Sequence, residues 1–135
     1  MPSFLLVRNV DVPADRVWGL CGDFTKSPGP GVVVQVEKEG NPHVGAERTI
    51  TIGSVKVRER LVAVDPPRGF SYTILSGAPM KEHLAKAEFI PRGATTEIRW
   101  NVEFKPKVPG IGWIVGMVTK KAVNQFIDEI EKAGR

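Results

Sequence analysis

The chain has 135 residues, 41% hydrophobic and 25% charged, which suits one soluble domain with one core and excludes a disordered or fibrous chain. Its net charge is +4 and its pI about 9.4, but Lys and Arg are interleaved with Asp and Glu throughout. No basic stripe with exposed aromatics emerges, so no nucleic-acid partner is expected.

The single cysteine, Cys21, permits no intrachain disulfide. A reducing, cytoplasmic setting is therefore expected. Met1-Pro2-Ser3-Phe4 has neither the basic nor the apolar region of a secretory signal. The longest apolar run, from Ile111 to Val118, is far short of the ~20 residues that span a bilayer.

In chain order, residues from about Ser3 to Val10 read as a first strand. Pro13 then sits where a first-turn proline belongs, and Asp15 follows near the positive end of a helix dipole. Val17, Leu20, Cys21 and Phe24 recur at helical spacing, which predicts a short helix from about Pro13 to Cys21. Lys26-Ser27-Pro28-Gly29-Pro30-Gly31 ends it and admits at most one further helical turn.

From Val32 the period changes to two. Val32, Val34 and Val36 alternate with Gln35 and Glu37, and Arg48, Ile50 and Ile52 with Thr49 and Thr51. Val55, Val57, Glu59 and Leu61 alternate with Lys56, Arg58 and Arg60, and Phe70, Tyr72 and Ile74 follow. His83, Ala85, Ala87 and Phe89 then stand against Lys86 and Glu88, and Ile98, Trp100, Val102 and Phe104 against polar neighbours. Turn signals separate these runs: Gly40-Asn41-Pro42, Gly53-Ser54, Asp65 to Gly69, Ser76 to Pro79, and Pro91-Arg92-Gly93. Six alternating strands in succession predict an antiparallel meander with one wet and one buried face.

After Pro106 and Pro109, Ile111, Ile114, Val115, Val118, Ala122, Phe126, Ile127 and Ile130 recur at intervals of three and four. They predict a terminal helix of roughly 20 residues, ~30 Å long, able to cross the whole sheet. The order strand, helix, six strands, long helix is α+β. One domain, residues 1–135, is expected.

Four polar residues share the parity of the buried face: Arg48, Glu59, Tyr72 and His83. If Gly53-Ser54 is a two-residue hairpin turn, Ile52 faces Val55, Ile50 faces Val57, and Arg48 faces Glu59. An internal Arg48–Glu59 pair is predicted, and two buried charges belong in a wet cavity more naturally than in a dry core. The pair either fixes the hairpin register alone or also orients a polar group of a ligand. His83 is placed at the start of its strand, near a pocket mouth, as a rim histidine or a proton shuttle. Tyr72 offers a phenol to a carbonyl or simply closes the core. Val55, Val57, Phe89, Ile98, Trp100 and Phe104 supply the expected apolar wall. Trp113 and Met117, near Gly110, Gly112 and Gly116, form a candidate lid.

The whole chain resembles the START-like, or SRPBCC, superfamily. The resemblance rests on Val12-Pro13-Ala14-Asp15-Arg16-Val17-Trp18, on Glu59-Arg60-Leu61-Val62-Ala63-Val64-Asp65-Pro66-Pro67 leading to Phe70-Ser71-Tyr72, and on Thr95-Thr96-Glu97-Ile98-Arg99-Trp100 with the terminal helix. It implies a helix-grip fold: a curved seven-stranded antiparallel sheet around a long C-terminal helix, with one or two short helices after the first strand. It also implies a cavity between helix and sheet. The Glu-Arg-Leu segment is similar to that of the abscisic-acid receptors, which implies a ligand-directed role for Glu59. Those receptors have a long gate loop where this chain has only Gly53-Ser54, so no gate-and-latch mechanism is expected.

No dinucleotide fingerprint, P-loop, His-Glu-x-x-His or nucleophile elbow is present. His43, His83 and Cys21 do not make a zinc site. Neither metal nor cofactor is expected. Cys21 lies in an apolar helical stripe and reads as an inert buried thiol.

Two functional readings follow. The favoured one is a noncatalytic binding or carrier module for a lipid, polyketide or similar hydrophobic metabolite. Its ligand-binding candidates are Arg48, Val57, Glu59, Tyr72, His83, Phe89, Trp100, Phe104, Trp113 and Met117. The alternative is a polyketide cyclase or dehydrase type of enzyme with His83 and Glu59 as acid–base residues. A transient membrane contact is a further candidate partner. The sequence does not specify the oligomeric state.

Overall fold

Alternation in the sequence becomes seven strands and two helices in a computed structural model that describes residues 3–39 and 44–135. The predicted Gly40-Asn41-Pro42 turn and His43 lie outside the described residues. β1 (Ser3–Val10) leads into α1 (Ala14–Cys21). β2 (Val32–Lys38), β3 (Glu47–Ile52), β4 (Val55–Asp65), β5 (Gly69–Ser76), β6 (Met80–Arg92) and β7 (Thr95–Pro106) follow, and α2 (Gly112–Gly134) ends the chain. The antiparallel sheet runs β1-β7-β6-β5-β4-β3-β2, a meander closed at one edge by the first strand.

The hairpin between β3 and β4 turns at Gly53-Ser54, with Gly53 at φ +58°, a conformation that glycine adopts without a Cβ clash. Its register pairs Ile52 with Val55, Ile50 with Val57 and Arg48 with Glu59, as the turn length predicts. On the opposite face Glu47 accepts hydrogen bonds from Arg58 at 2.8 Å and Arg60 at 3.1 Å. Those two arginines therefore do more than solvate the strand. They pin the start of β3 to β4.

α2 lays Val115, Ala122, Val123, Phe126, Ile127 and Ile130 against the sheet. Arg8 of β1 holds it laterally, its Nη1 lying 2.8 Å from Asp128 Oδ1. Arg16 of α1 donates to the carbonyls of Gly134 and Ala133, both at 3.1 Å, which satisfies acceptors left over at the helix end. Arg16 thus ties the end of α2 to α1, while Arg8 ties α2 to β1.

Sequence parity fails in two places. Val36 is 40% exposed although it shares parity with buried Val32, because β2 is an edge strand. In β6 the pairing with β7 shifts between Lys81 and Leu84, and Glu82 has φ +52°. This bulge inserts one residue, so Met80 and His83 both face inward while Lys81 and Glu82 face solvent.

Candidate functional site

The concave sheet face and α2 enclose a cavity of about 480 Å³, within the range of small-molecule sites. β3 and β4 contribute Arg48, Ile50, Val57 and Glu59, and β5 to β7 contribute Tyr72, Ile74, Met80, His83 and Trp100. Val115, Ala122, Val123 and Phe126 of α2 close the other side. Ile114 and Val118 also line it, and their partial exposure marks where it meets solvent.

Arg48 and Glu59 are 3% and 5% exposed. Arg48 Nε donates to Glu59 Oε1 at 3.0 Å, while its Nη1 donates to the Phe24 carbonyl at 3.1 Å. The guanidinium also stacks 3.8 Å above the Phe24 ring. Phe24, placed just beyond α1, thus gives the buried cation both a dipole and a π face. Burial raises the Glu59 carboxyl above the usual carboxylate range, and Arg48 pulls against that rise.

His83 is 5% exposed, which corrects the expectation of a rim residue. Its strand starts earlier, at Met80, so His83 lies within the strand, on the inward face that it shares with Ala85, Ala87 and Phe89. Its Nδ1 accepts from the Ile74 amide at 3.0 Å. An Nδ1 that accepts carries no proton, so the neutral ring bears its hydrogen on Nε2. Burial holds this imidazole down at about 4. Among the described residues, His83 Nε2 is the buried side-chain nitrogen or oxygen left without a hydrogen-bond partner.

Tyr72 stands beside His83, with ring centroids 5.7 Å apart. Its hydroxyl oxygen accepts from Trp100 Nε1 at 3.1 Å. Burial first, and then the Glu59 charge, pushes the phenol well above its ordinary value, so it stays protonated.

Of the sequence-derived candidates, Arg48, Val57, Glu59, Tyr72, His83 and Trp100 face the cavity together. Phe89, Phe104, Trp113 and Met117 do not, and neither does the wall residue Ile98. Phe89 is covered by Trp18 of α1 at a centroid distance of 6.1 Å. Phe104 lies beneath Gly116, where an added Cβ would sit 3.7 Å from the ring. Ile98 is fully buried in the core. Trp113 and Met117 are 70% and 59% exposed, on the outward side of α2.

Ile52, Met80, Val115 and Ala122 line the cavity but were absent from the candidates. Ile52, Val115 and Ala122 carried the correct parity or helical spacing. Met80 carried no signal, since the bulge alone brings it inward. Cys21 is buried, its thiol pushed up to about 12 chiefly by burial, and it is not part of the cavity lining. Among the described residues no group of three or more His, Cys, Asp or Glu is arranged to hold a metal ion. Among the described residues no helix is long and apolar enough to cross a membrane.

A search of curated proteins finds no match to the sequence. Solved structures match it closely in shape. XoxI from Bacillus cereus is 16% identical with a TM-score of 0.81, covering 99% of this chain and 96% of its own. Ara h 8.0201 is 19% identical with a TM-score of 0.75, covering 97% and 95%. Norcoclaurine synthase from Thalictrum flavum, solved in complex with dopamine and hydroxybenzaldehyde, is 17% identical with a TM-score of 0.73, covering 97% and 84%. At these identities the likeness is one of fold, and that fold is the START-like helix grip. The profile of the family described as polyketide cyclase / dehydrase and lipid transport matches residues 1–131, and the chain belongs to that family.

Proposed function

We propose that this protein binds a small, largely apolar molecule in the cavity between its sheet and α2. The observation that carries the reading is the cavity itself, about 480 Å³ and walled mostly by aliphatic and aromatic side chains. The family's link to polyketide cyclases and lipid transport agrees with such a ligand. So does norcoclaurine synthase, a protein of the same fold solved with two small aromatic molecules. Arg48 gives Nε to Glu59 and Nη1 to the Phe24 carbonyl and stacks on the Phe24 ring, which supports a structural part for the ion pair at the cavity floor.

The acid–base reading finds less support. His83 and Glu59 do line one cavity, yet an imidazole held at about 4 is a weak base at neutral pH. Its Nδ1 is occupied by the Ile74 amide, and Glu59 is tied to Arg48.

Titration with the neutral fluorophore N-phenylnaphthylamine tests the binding reading. Wild type is expected to enhance its emission saturably. Ala122→Trp and Val115→Trp, which fill the cavity from α2, are expected to abolish the effect while keeping the native circular dichroism. Enhancement unchanged in both folded variants would overturn the reading. Native mass spectrometry of protein purified from its own host then identifies the resident molecule.

A further inference from the structure

We infer that the cavity selects a neutral molecule with a carbonyl oxygen, which accepts a hydrogen bond from His83 Nε2–H. This inference rests on the binding reading above and names the polar feature of the ligand.

The argument begins with hydrogen-bond satisfaction. A buried N–H without a partner is destabilising, and native proteins leave few such groups without a reason. His83 Nε2 is such a group, without a hydrogen-bond partner, in a residue that is 5% exposed and belongs to the cavity lining. The orientation is imposed twice. The Ile74 amide donates to Nδ1 at 3.0 Å and so fixes both the tautomer and the ring direction. Alternation with Ala85, Ala87 and Phe89 turns the side chain inward, and the bulge just before it passes through Glu82 at φ +52°, a strained conformation for a residue other than glycine. Strain of this kind gathers at functional sites. Without the bulge, strict alternation back from His83 would place Lys81 inside and Met80 outside.

The polarity of the site then selects the ligand's chemistry. The ring is neutral, so it offers a donor and no charge. Arg48, the buried cation, is already committed to Glu59 and to the Phe24 carbonyl. An anionic ligand would therefore lose its hydration without gaining a free counter-charge, next to the Glu59 carboxylate. A donor-only ligand would leave Nε2 unpaired. A carbonyl oxygen loses little on entering an apolar cavity and satisfies the donor. Tyr72 stands close by with a protonated hydroxyl whose oxygen already accepts from Trp100, leaving its own hydrogen for the same oxygen.

Three probes of similar shape test this: acetylnaphthalene, ethylnaphthalene and naphthoate, titrated into wild type, His83→Phe and His83→Gln. In wild type the ketone is expected to bind more tightly than naphthoate, and the hydrocarbon is expected to bind as well. In His83→Phe the ketone is expected to weaken about tenfold, as loss of one buried hydrogen bond predicts, while the hydrocarbon is unchanged or tighter. His83→Gln, which can place an amide N–H near the same point, is expected to restore part of the ketone affinity. In wild type, the imidazole Nε2 and its hydrogen should shift in nitrogen-15 NMR on adding ketone but not hydrocarbon, a readout independent of any variant's folding. An imidazole resonance unmoved by bound ketone, or naphthoate bound as tightly as ketone, overturns the inference. Failure of every probe to bind wild type would instead remove the binding reading beneath it.

Discussion

Arg48 Nε lies 3.0 Å from Glu59 Oε1, and both side chains are buried at the base of the cavity. Such a pair contributes little net stability while intact, because desolvation offsets attraction, but breaking it strands a charge. Glu59→Ala is therefore expected to lose about 3–5 kcal/mol in urea denaturation. Arg48→Met combined with Glu59→Leu should cost far less than Glu59→Ala alone. If the double variant proves as unstable as the single one, the pair is not what holds this hairpin.

His83 makes stability depend on pH. Its folded value of about 4 lies below the ordinary 6.5, so the unfolded chain binds the extra proton first. The stabilising contribution is complete above about pH 6.5 and is lost as pH falls toward 4, by about 3 kcal/mol across the window. His83→Phe removes that titration. The stability advantage of wild type over His83→Phe should shrink between pH 7 and pH 4.5, and a constant difference would contradict a buried neutral imidazole.

Tyr72 accepts the indole N–H of Trp100 at 3.1 Å, with both residues buried. Tyr72→Phe keeps the ring packing but leaves that N–H unpaired. A loss of about 1–3 kcal/mol is expected from thermal or urea unfolding. A loss below about 0.5 kcal/mol would mean that the indole finds another acceptor.

Gly116 sits inside α2, where a Cβ would meet the Phe104 ring at an ordinary 3.7 Å. Packing does not require glycine there. Gly116→Ala is therefore expected to stabilise the protein by up to about 1 kcal/mol. If the start of α2 opens to admit ligand, the same substitution slows N-phenylnaphthylamine uptake in stopped-flow fluorescence without weakening its equilibrium affinity. Destabilisation instead would show that the helix lies closer to Phe104 than 3.7 Å implies.

Much of the architecture was legible because it is periodic. The two-residue alternation from Val32 to Phe104 and the helical spacing from Ile111 to Ile130 account for the meander and α2. The Arg48–Glu59 contact was legible too, since a two-residue turn fixes register locally. Glu47 escaped notice because its importance comes from Arg58 and Arg60 across the hairpin, on a face that alternation marks only as wet.

By itself, then, the sequence determined which residues face inward on most strands, which hairpin pair meets, and that a long amphipathic helix covers the sheet. Local geometry suffices for those, because side-chain direction in a strand alternates with every residue. Only the tertiary structure decided which inward residues border space and which are covered. Trp100, Phe89 and Phe104 share one parity, yet α1 covers Phe89 and α2 covers Phe104, leaving Trp100 at the cavity. It also decided the fate of His83. Its strand extends back to Met80, so the imidazole that alternation turned inward is covered rather than left at a rim, and the inserted residue at Glu82, which no periodic pattern records, adds Met80 to the cavity wall. The polar lining follows the alternation, whereas the extent of the cavity and its cover depend on where strands, bulge and helix meet.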